Sequence, residues 1–445
     1  MGWTKVSDRR WERPMDGLES YFAITGTITG SLCGGREHYM LFSRLSLELE
    51  SPDPEVALRR AWVQMRHQQP QLAVTVDGVD KVYEVPDEAG LEKWLADTFI
   101  VSGAADSAEL HQHVTDKPLH QATLYYLPRT SELVFRAHHH NIDGTGVLLF
   151  WDCYLGALAS PAEHVLFGEE HTRLVPAMGD ILGFPDEATQ DKNDKANEIL
   201  MSWLSNIPGV GPVSKVGSAP AGKCQNIEMV LPAKTTTALI RACKEKGVTV
   251  TSAVHAAYIA AMAKHASPDS KTSEYVSMTQ FNLRPYLPEP YGSASKAVSV
   301  FYTPFPYRIG LPVSFWDSAR SLHGYYKTTF KSNPELLELK DLYMRTVCSV
   351  IQTPEFLTSP VPRDALFSSL GIAERYMQRE YGSKVKVRDM QMSVDVVLGM
   401  SMVFLYTFQD QLRLVYNFND GYEEPKDIQT YLDEVQKILF EELLA

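Results

Sequence analysis

The feature that most constrains the fold is a long apolar helix that directly follows a strand pair and a histidine-rich loop. Residues 144–160 read GTGVLLFWDCYLGALAS, a helical sequence that is apolar on nearly all sides. Such a helix must be buried on most of its faces. The strand pair before it is predicted at 119–127 and 133–138, and the intervening PRTS suits a hairpin. Together these elements indicate an α/β domain in which a sheet is covered by helices.

Helices and strands alternate along the rest of the chain in two similar sets, separated by a segment rich in turn formers. Residues 168–223 carry several prolines and glycines and the polar run DEATQDKNDK, with one short helical piece predicted at 196–204. This composition is typical of a crossover between domains. We therefore predict an N-terminal lobe at 1–170, a crossover linker at 171–223 and a C-terminal lobe at 224–445.

Several further elements are predicted near these segments. Residues 53–68 have the pattern of an amphipathic helix that Pro70 ends. Short strands are predicted at 72–76 and 81–85, around the turn Asp77-Gly78, and a further strand at 297–302.

Composition and charge exclude several classes of protein. The net charge is −13, from 42 basic and 55 acidic residues, which argues against binding the phosphate backbone of nucleic acid. The N-terminal sequence lacks the apolar core of a signal peptide, and no apolar stretch reaches the ~18 residues of a membrane span. The five cysteines are too scattered for a disulfide framework. We expect a soluble cytoplasmic protein with free thiols.

One segment between the predicted strand and the predicted buried helix carries residues suited to chemistry. It reads FRAHHHNIDGTG at 135–146 and contains the pattern HHxxxDG as His138, His139, Asp143 and Gly144. A neutral imidazole can take a proton from a hydroxyl or an amine near pH 7. The glycine lets the backbone come close to a substrate, and the aspartate can orient the loop.

Two other interpretations of the adjacent histidines stay open at this point, namely a metal cluster and a purely structural turn. Adjacent residues of a strand point to opposite faces, so three consecutive histidines rarely bind one ion. No pair of cysteines has the CxxC spacing of a zinc site. We assign no metal ligand.

The HHxxxDG segment resembles the active-site motif of the coenzyme A-dependent acyltransferase superfamily. That superfamily includes chloramphenicol acetyltransferase, the condensation domains of peptide synthetases, plant BAHD acyltransferases, yeast alcohol acetyltransferase and fungal trichothecene O-acetyltransferases. The resemblance covers most of the chain and is nearest to the fungal alcohol or trichothecene O-acetyltransferases. Its further parts, in chain order, are RPMDGLESYF at 13–22, the LRxAW…RxxxPxL run at 57–72, GVTVTSAVHAA at 247–257, Asn282-Leu283-Arg284-Pro285, and Ser368-Ser369-Leu370-Gly371.

The resemblance implies a fold and a set of residue roles. The implied fold is two chloramphenicol-acetyltransferase-like lobes, each with a mixed sheet flanked by helices, around a central tunnel. His139 is then the general base. Asp143 is structural and pairs with Arg284, while Gly144 allows close backbone approach. His138 and Asn141 are secondary candidates on the substrate side, as is Arg284 through its pairing.

The implied activity is transfer of an acyl group, expected to be acetyl, from a coenzyme A thioester to a hydroxyl or amine of a small apolar acceptor. The reaction is expected to belong to fungal-type secondary metabolism. The protein is expected to be a monomer that holds no permanent cofactor and uses acyl-CoA as a co-substrate. Residues 385–392 lack the DFGWG motif of the plant branch, which leaves the coenzyme A contacts unassigned.

Three alternatives to this activity remain open. One is a donor bound to a carrier protein. Another is a different reaction on the same fold, such as cyclisation, condensation or dehydration. The third is a non-catalytic binding module, against which the intact HHxxxDG argues.

Overall fold

The structure is a computed structural model of the chain that describes residues 2–185, 187–270, 273–357, 359 and 361–445. The helices and strands of the first 187 residues are Thr4–Lys5 (β1), Arg10–Pro14 (β2), Gly17–Leu32 (α1), Leu41–Leu49 (β3), Pro54–Gln68 (α2), Thr75–Asp77 (β4), Asp80–Glu84 (β5), Glu88–Thr98 (α3), Phe99–Val101 (β6), Ser107–Val114 (α4), Thr123–Leu127 (β7), Glu132–Ala137 (β8), Gly144–Ala159 (α5) and Met178–Leu182 (α6).

The remaining elements are Gln190–Leu204 (α7), Cys224–Leu231 (β9), Ala233–Glu245 (α8), Val250–His265 (α9), Glu274–Asn282 (β10), Tyr302–Gly310 (β11), Phe315–Ser332 (α10), Glu335–Val350 (α11), Pro354–Leu357 (α12), Leu366–Ile372 (β12), Glu380–Tyr381 (β13), Val385–Val394 (β14), Met402–Phe408 (β15), Gln411–Asn419 (β16) and Pro425–Leu443 (α13). Short 3₁₀ turns lie at Pro70–Ala73, Glu170–Arg173, Pro268–Ser270, Arg284–Tyr286, Ala294–Lys296 and Ala373–Arg375.

The chain packs into two compact units that are not continuous in sequence. The first unit consists of Met1–Glu187, Asn282–Tyr302 and Ala373–Val394. The second consists of Ala188–Phe281, Thr303–Ile372 and Asp395–Ala445. The HHxxxDG segment and Arg284 therefore belong to the same unit. The lobe boundaries near residues 170 and 224, and the central tunnel, stay predictions.

A six-stranded sheet supports the histidine segment in the first unit. Its strand order is β13-β14-β3-β8-β7-β6, and only the pair β6–β7 is parallel. Helix α5 packs on this sheet with its Phe150 ring stacked 4.2 Å from Phe135 of β8. Trp151 Nε1 donates to Ser43 Oγ of β3 at 2.9 Å. The prediction that this apolar helix is buried is therefore confirmed.

A second, antiparallel sheet of the first unit has the order β1-β2-β5-β4. Helix α1 follows β2 and begins at a capping box, because the Asp16 side chain accepts from the Glu19 main chain while the Glu19 side chain accepts from Asp16 N–H. The hairpin β4–β5 turns at Gly78, whose φ of 61° is the left-handed region that favours glycine. This sheet and α1 supply side chains that contact the histidine segment.

The second unit has its own mixed sheet, in the order β12-β15-β16-β9, with β12 and β15 parallel. The alanine-rich helix α9 lies in its core and places His255 between two tyrosines. The His255 Nδ1 atom lies 2.9 Å from the Tyr326 hydroxyl, and Nε2 lies 3.1 Å from the Tyr275 hydroxyl. The α/β class with mixed sheets flanked by helices is therefore confirmed for the chain. No helix within the described residues has the length and apolar character needed to cross a bilayer.

Three sequence predictions of local structure were wrong, each for a physical reason. Only Thr75 and Val76 of the predicted strand 72–76 lie in a strand, β4, because Pro70 starts a 3₁₀ turn that runs to Ala73. The predicted strand 297–302 begins only at Tyr302. Before it, the Ser299 carbonyl accepts from Arg284 Nη2 and the Phe301 N–H donates to Asp143 Oδ2.

The third error concerns the polar run before residue 196, which belongs to helix α7 from Gln190 onward. Ion pairs within the helix and between the helix and α11 stabilise it. Lys195 Nζ lies 3.0 Å from Asp191, one turn earlier, and 2.8 Å from Glu335 of α11. The polarity of this run predicted turns, but residues 190–195 form the first part of a helix that faces solvent.

Glu423 of the second unit should make stability depend on pH. Burial raises the pKa of this carboxyl to about 7, although Ser401 and Tyr416 donate to it and act in the opposite direction. The folded protein then keeps this proton between about pH 4.5 and 7 while the unfolded chain releases it, so this contribution to stability falls as pH rises through that window. Glu423→Gln should reduce the fall in the free energy of unfolding, measured with urea, between pH 5 and pH 8. A fall as steep as that of the wild type would contradict this assignment.

Candidate active site

His139 lies in a tight turn just beyond the end of β8. Strand β8 ends at Ala137, and the Asn141 N–H donates to the His138 carbonyl at 3.1 Å, which turns the chain back toward α5. The His139 ring stacks on Phe22 of α1, with centroids 4.1 Å apart and planes 5° apart. The Tyr302 ring lies 5.4 Å away. The turn therefore seats the imidazole against two aromatic rings, and 7% of the residue is exposed.

This environment keeps His139 neutral at physiological pH. Burial lowers the pKa of its imidazole to about 4, against the opposing influence of its own backbone and of the Asp143 charge. Nδ1 is buried and makes no hydrogen bond with another described residue. A neutral ring has one nitrogen that can accept a proton. The site therefore holds a deprotonated imidazole in a largely apolar setting, and a deprotonated imidazole can accept a proton.

Asp143, at the other end of the turn, makes four hydrogen bonds through its carboxylate. Arg284 Nη1 donates to both oxygens, at 2.8 and 2.9 Å. The Gly146 N–H donates to Oδ1 and the Phe301 N–H to Oδ2, both at 2.7 Å. Asp143 and Arg284 are 2% and 4% exposed. The structure thus brings together the two residues that the sequence analysis paired, and hydrogen bonds to charged groups are the strong ones.

The start of α5 approaches the Arg284 segment so closely that one position must be glycine. Asp143 is the N-cap of this helix and Gly144 its first residue. A Cβ atom on Gly146 would lie 2.5 Å from the Ala297 carbonyl oxygen and 3.1 Å from Arg284 Nη2. The close approach was predicted at Gly144, and nothing in the sequence singled out Gly146.

The neighbours of His139 make their own contacts. His138 Nε2 lies 3.0 Å from Glu37 Oε2, and the His138 and His140 rings stack at 4.7 Å. Asn141 is 3% exposed, and its Nδ2 donates to the Val74 carbonyl at 3.3 Å. Its Oδ1 lies 3.2 Å from His140 Nδ1. Asn141 is therefore committed to the internal structure of the turn.

A buried ion network that the sequence analysis missed holds the turn from the other side. Glu19 of α1 binds Arg13 through both oxygens, at 2.7 and 2.8 Å, and accepts from Lys81 Nζ at 2.6 Å. The same Lys81 ammonium donates to the His140 carbonyl at 2.7 Å. Burial acts to raise the pKa of Glu19, but the two cations hold it well below its usual range. Arg13 and Glu19 stand in the quoted 13–22 segment, whereas nothing in the sequence pointed to Lys81.

Within the described residues, no group of three or more His, Cys, Asp or Glu side chains is arranged to hold a metal ion. The three adjacent histidines are divided between the contacts described above: His139 packs on Phe22 and Tyr302, and His138 and His140 stack on each other.

Comparison with known proteins identifies the fold. No family model matches the chain. It is 28% identical over 459 residues to the acetyltransferase pigO of Monascus ruber, covering 100% of this chain and 98% of that protein. The structure of trichothecene 15-O-acetyltransferase from Fusarium sporotrichioides matches 98% of this chain and 96% of that chain, with a TM-score of 0.84 at 20% identity. The first condensation domain of the CDA synthetase matches 94% of both chains, with a TM-score of 0.65 at 16% identity.

These matches span nearly the whole of each protein compared. The chain has the fold of the trichothecene 15-O-acetyltransferase and of the condensation domain, and the sequence resemblance predicted this fold.

The contact at Gly146 can be tested by stability. Gly146→Ala places a methyl group against the Ala297 carbonyl and should lower the free energy of unfolding by about 1–3 kcal/mol. Gly156→Ala is the matched control in the same helix, because a Cβ there meets nothing within 4 Å; it should stabilise by roughly 0.5–1 kcal/mol. Urea unfolding of both variants measures the difference, and equal effects would contradict the close approach.

Proposed function

We propose that this protein is an O-acyltransferase that moves an acyl group, most simply acetyl, from acyl-CoA to a hydroxyl of a small, largely apolar acceptor. An amine acceptor would use the same chemistry. The related acetyltransferase from Monascus ruber and the fold shared with a trichothecene O-acetyltransferase support the reaction class. In this proposal acyl-CoA is a co-substrate, and the protein carries no permanent cofactor.

The observation that carries the proposal is the state of His139. It is a buried, neutral imidazole whose Nδ1 makes no hydrogen bond with another described residue. A histidine that served only the packing of the turn would be expected to satisfy its polar atoms, because burying an unpaired polar group costs about 1–3 kcal/mol. An imidazole with an unpaired nitrogen, at a turn held by a buried ion pair, is suited to a partner that arrives with the substrate.

In the proposed reaction, His139 acts as general base. It takes the proton of the acceptor hydroxyl while the acceptor oxygen attacks the thioester carbonyl carbon, so a C–O bond forms and the carbonyl electrons move to oxygen. The tetrahedral intermediate collapses, and the C–S bond breaks. The protonated His139 then returns its proton to the departing thiolate. No covalent intermediate on the enzyme is needed, so the reaction requires no serine or cysteine nucleophile.

Phe22 and the Asp143–Arg284 pair have positioning roles in this scheme. The stacked Phe22 ring fixes the plane of the imidazole, and exclusion of water strengthens electrostatic interactions during proton transfer. Asp143 is fully engaged by Arg284, Gly146 and Phe301. Its role is therefore to hold the turn, and proton transfer is left to His139.

The decisive experiment compares two histidine variants. Purified protein is incubated with acetyl-, butyryl- or decanoyl-CoA and a panel of alcohols and amines, and free thiol release is measured. His139→Asn should reduce transfer by at least about 10²-fold, the usual contribution of a general base. His113→Asn, at an exposed position of α4, should retain wild-type transfer.

Two results would contradict the proposal. One is transfer by His139→Asn at the wild-type rate with circular dichroism unchanged. The other is the absence of acceptor-dependent thiol release from every acyl-CoA, in which case the same panel with an acyl thioester on a carrier protein tests the alternative donor.

The pH dependence of kcat/KM gives a second test. A general base works only when deprotonated, and burial lowers the pKa of His139 to about 4. Activity should therefore stay constant from pH 8 down to about pH 5 and fall to half near pH 4, where an ordinary histidine would give half-loss near pH 6.5. Circular dichroism at each pH separates this loss from unfolding. Half-loss near pH 6.5 with the protein folded would contradict a buried base.

A further inference from the structure

Residues of the hairpin β4–β5 and of helices α2 and α3 line a cavity of about 560 Å³ in the first unit. Among the described residues of its wall, none belongs to the histidine turn at 138–143. A cavity of this size with a largely apolar wall and a few polar groups is typical of a small-molecule site. The apolar residues of the wall are Ala73, Val76, Val82, Val85, Pro86 and Trp94.

Arg66 of α2 is a buried cation in the wall of this cavity. The residue is 5% exposed, and its Nε and Nη1 atoms have no hydrogen-bond partner among the described residues. Its Cζ atom lies 4.7 Å from the centroid of the Trp94 ring, which lines the same cavity. Burying a charged group with unpaired donors costs free energy, and a ligand that accepts hydrogen bonds from Arg66 would recover part of that cost.

The carboxylate that acts on Arg66 electrostatically is Glu170, but its oxygens are bound by other groups. The Tyr83 hydroxyl donates to Oε1 at 2.8 Å, and the Gly168 N–H donates to Oε2 at 2.6 Å. Glu170 is fully buried and does not line the cavity. It therefore lowers the cost of burying Arg66 without pairing with the guanidinium directly.

The other cations that line the cavity differ from Arg66, because each of them is held by a carboxylate. This leaves Arg66 as the lining cation whose charge is available to an anion. The ion pairs are Arg9–Asp87 at 2.7 Å, Arg10–Asp77 at 3.1 Å and Lys93–Asp97 at 2.5 Å.

We propose that this cavity binds a monocarboxylate with an apolar body, whose carboxylate pairs with the Arg66 guanidinium. A planar guanidinium can donate two parallel hydrogen bonds to a carboxylate, and the apolar wall covers the rest of the ligand. One unpaired positive charge matches a monoanion, whereas a phosphate monoester carries nearly two negative charges at pH 7. Because His139 does not line this cavity, the ligand is distinct from the acceptor in the proposed reaction, and the inference is independent of acyl transfer.

Binding of two probes that differ only in charge tests the site. The probes are 2-naphthylacetate and its neutral amide, 2-naphthylacetamide, and calorimetric titration measures both affinities. The wild type should bind the acid at least about tenfold more tightly than the amide, because hydrogen bonds between charged groups are the strong ones. Arg66→Met removes the charge and keeps an apolar stem, so it should reduce that preference to about twofold or less.

Two control variants separate pairing with Arg66 from general attraction of an anion. Lys93→Gln removes an exposed cation of the cavity wall that Asp97 already neutralises, and it should keep most of the preference. Arg60→Met removes an exposed arginine of the same helix outside the cavity and should bind both probes as the wild type does.

Urea unfolding separates loss of the ligand site from loss of the fold. Without ligand, Arg66→Met should be at least as stable as the wild type, because it replaces a buried unpaired charge with an apolar side chain. Saturating 2-naphthylacetate should raise the urea midpoint of the wild type and leave that of Arg66→Met unchanged. The inference is overturned if the wild type binds neither probe or does not distinguish them, if Arg66→Met keeps the preference, or if Lys93→Gln abolishes it to the same extent.

Discussion

The carboxylate of Asp143 is the interaction on which the site depends. It caps helix α5 through the Gly146 N–H, binds the Arg284 guanidinium, and accepts from the Phe301 N–H. The start of α5 and the segment 284–301, whose Arg284 lies 141 residues after Asp143, therefore meet at one buried charge. Removing one partner of a buried ion pair costs about 3–5 kcal/mol, because the other charge is left uncompensated.

Helix α1 packs against the same histidine turn and makes one apolar and one ionic contact there. Its Phe22 ring covers His139, so the imidazole stays neutral. Its Glu19, one turn earlier, binds Lys81, which in turn holds the His140 carbonyl. An apolar contact and an ionic contact from one helix thus fix neighbouring residues of the turn.

The sequence predicted the parts of the site that are local and missed those that depend on tertiary packing. The histidine turn and the buried helix α5 follow from one continuous segment, and the pairing of Asp143 with Arg284 came from the family resemblance. Lys81 carries no signal of its own, because Glu19 and His140 lie more than 50 residues away. Phe22 stands in the quoted 13–22 segment, but nothing in that segment paired it with His139. The residues before Tyr302 looked like a strand, but their main-chain groups serve Asp143 and Arg284.

The most direct test of this account is a double-mutant cycle on the buried pair, using Asp143→Asn, Arg284→Met and the double variant, with unfolding in urea. We expect each single change to cost about 3–5 kcal/mol, and the double variant to cost less than the sum by at least about 2 kcal/mol. A coupling below about 0.5 kcal/mol, within the range of independent sites, would contradict the central role given to the Asp143 carboxylate.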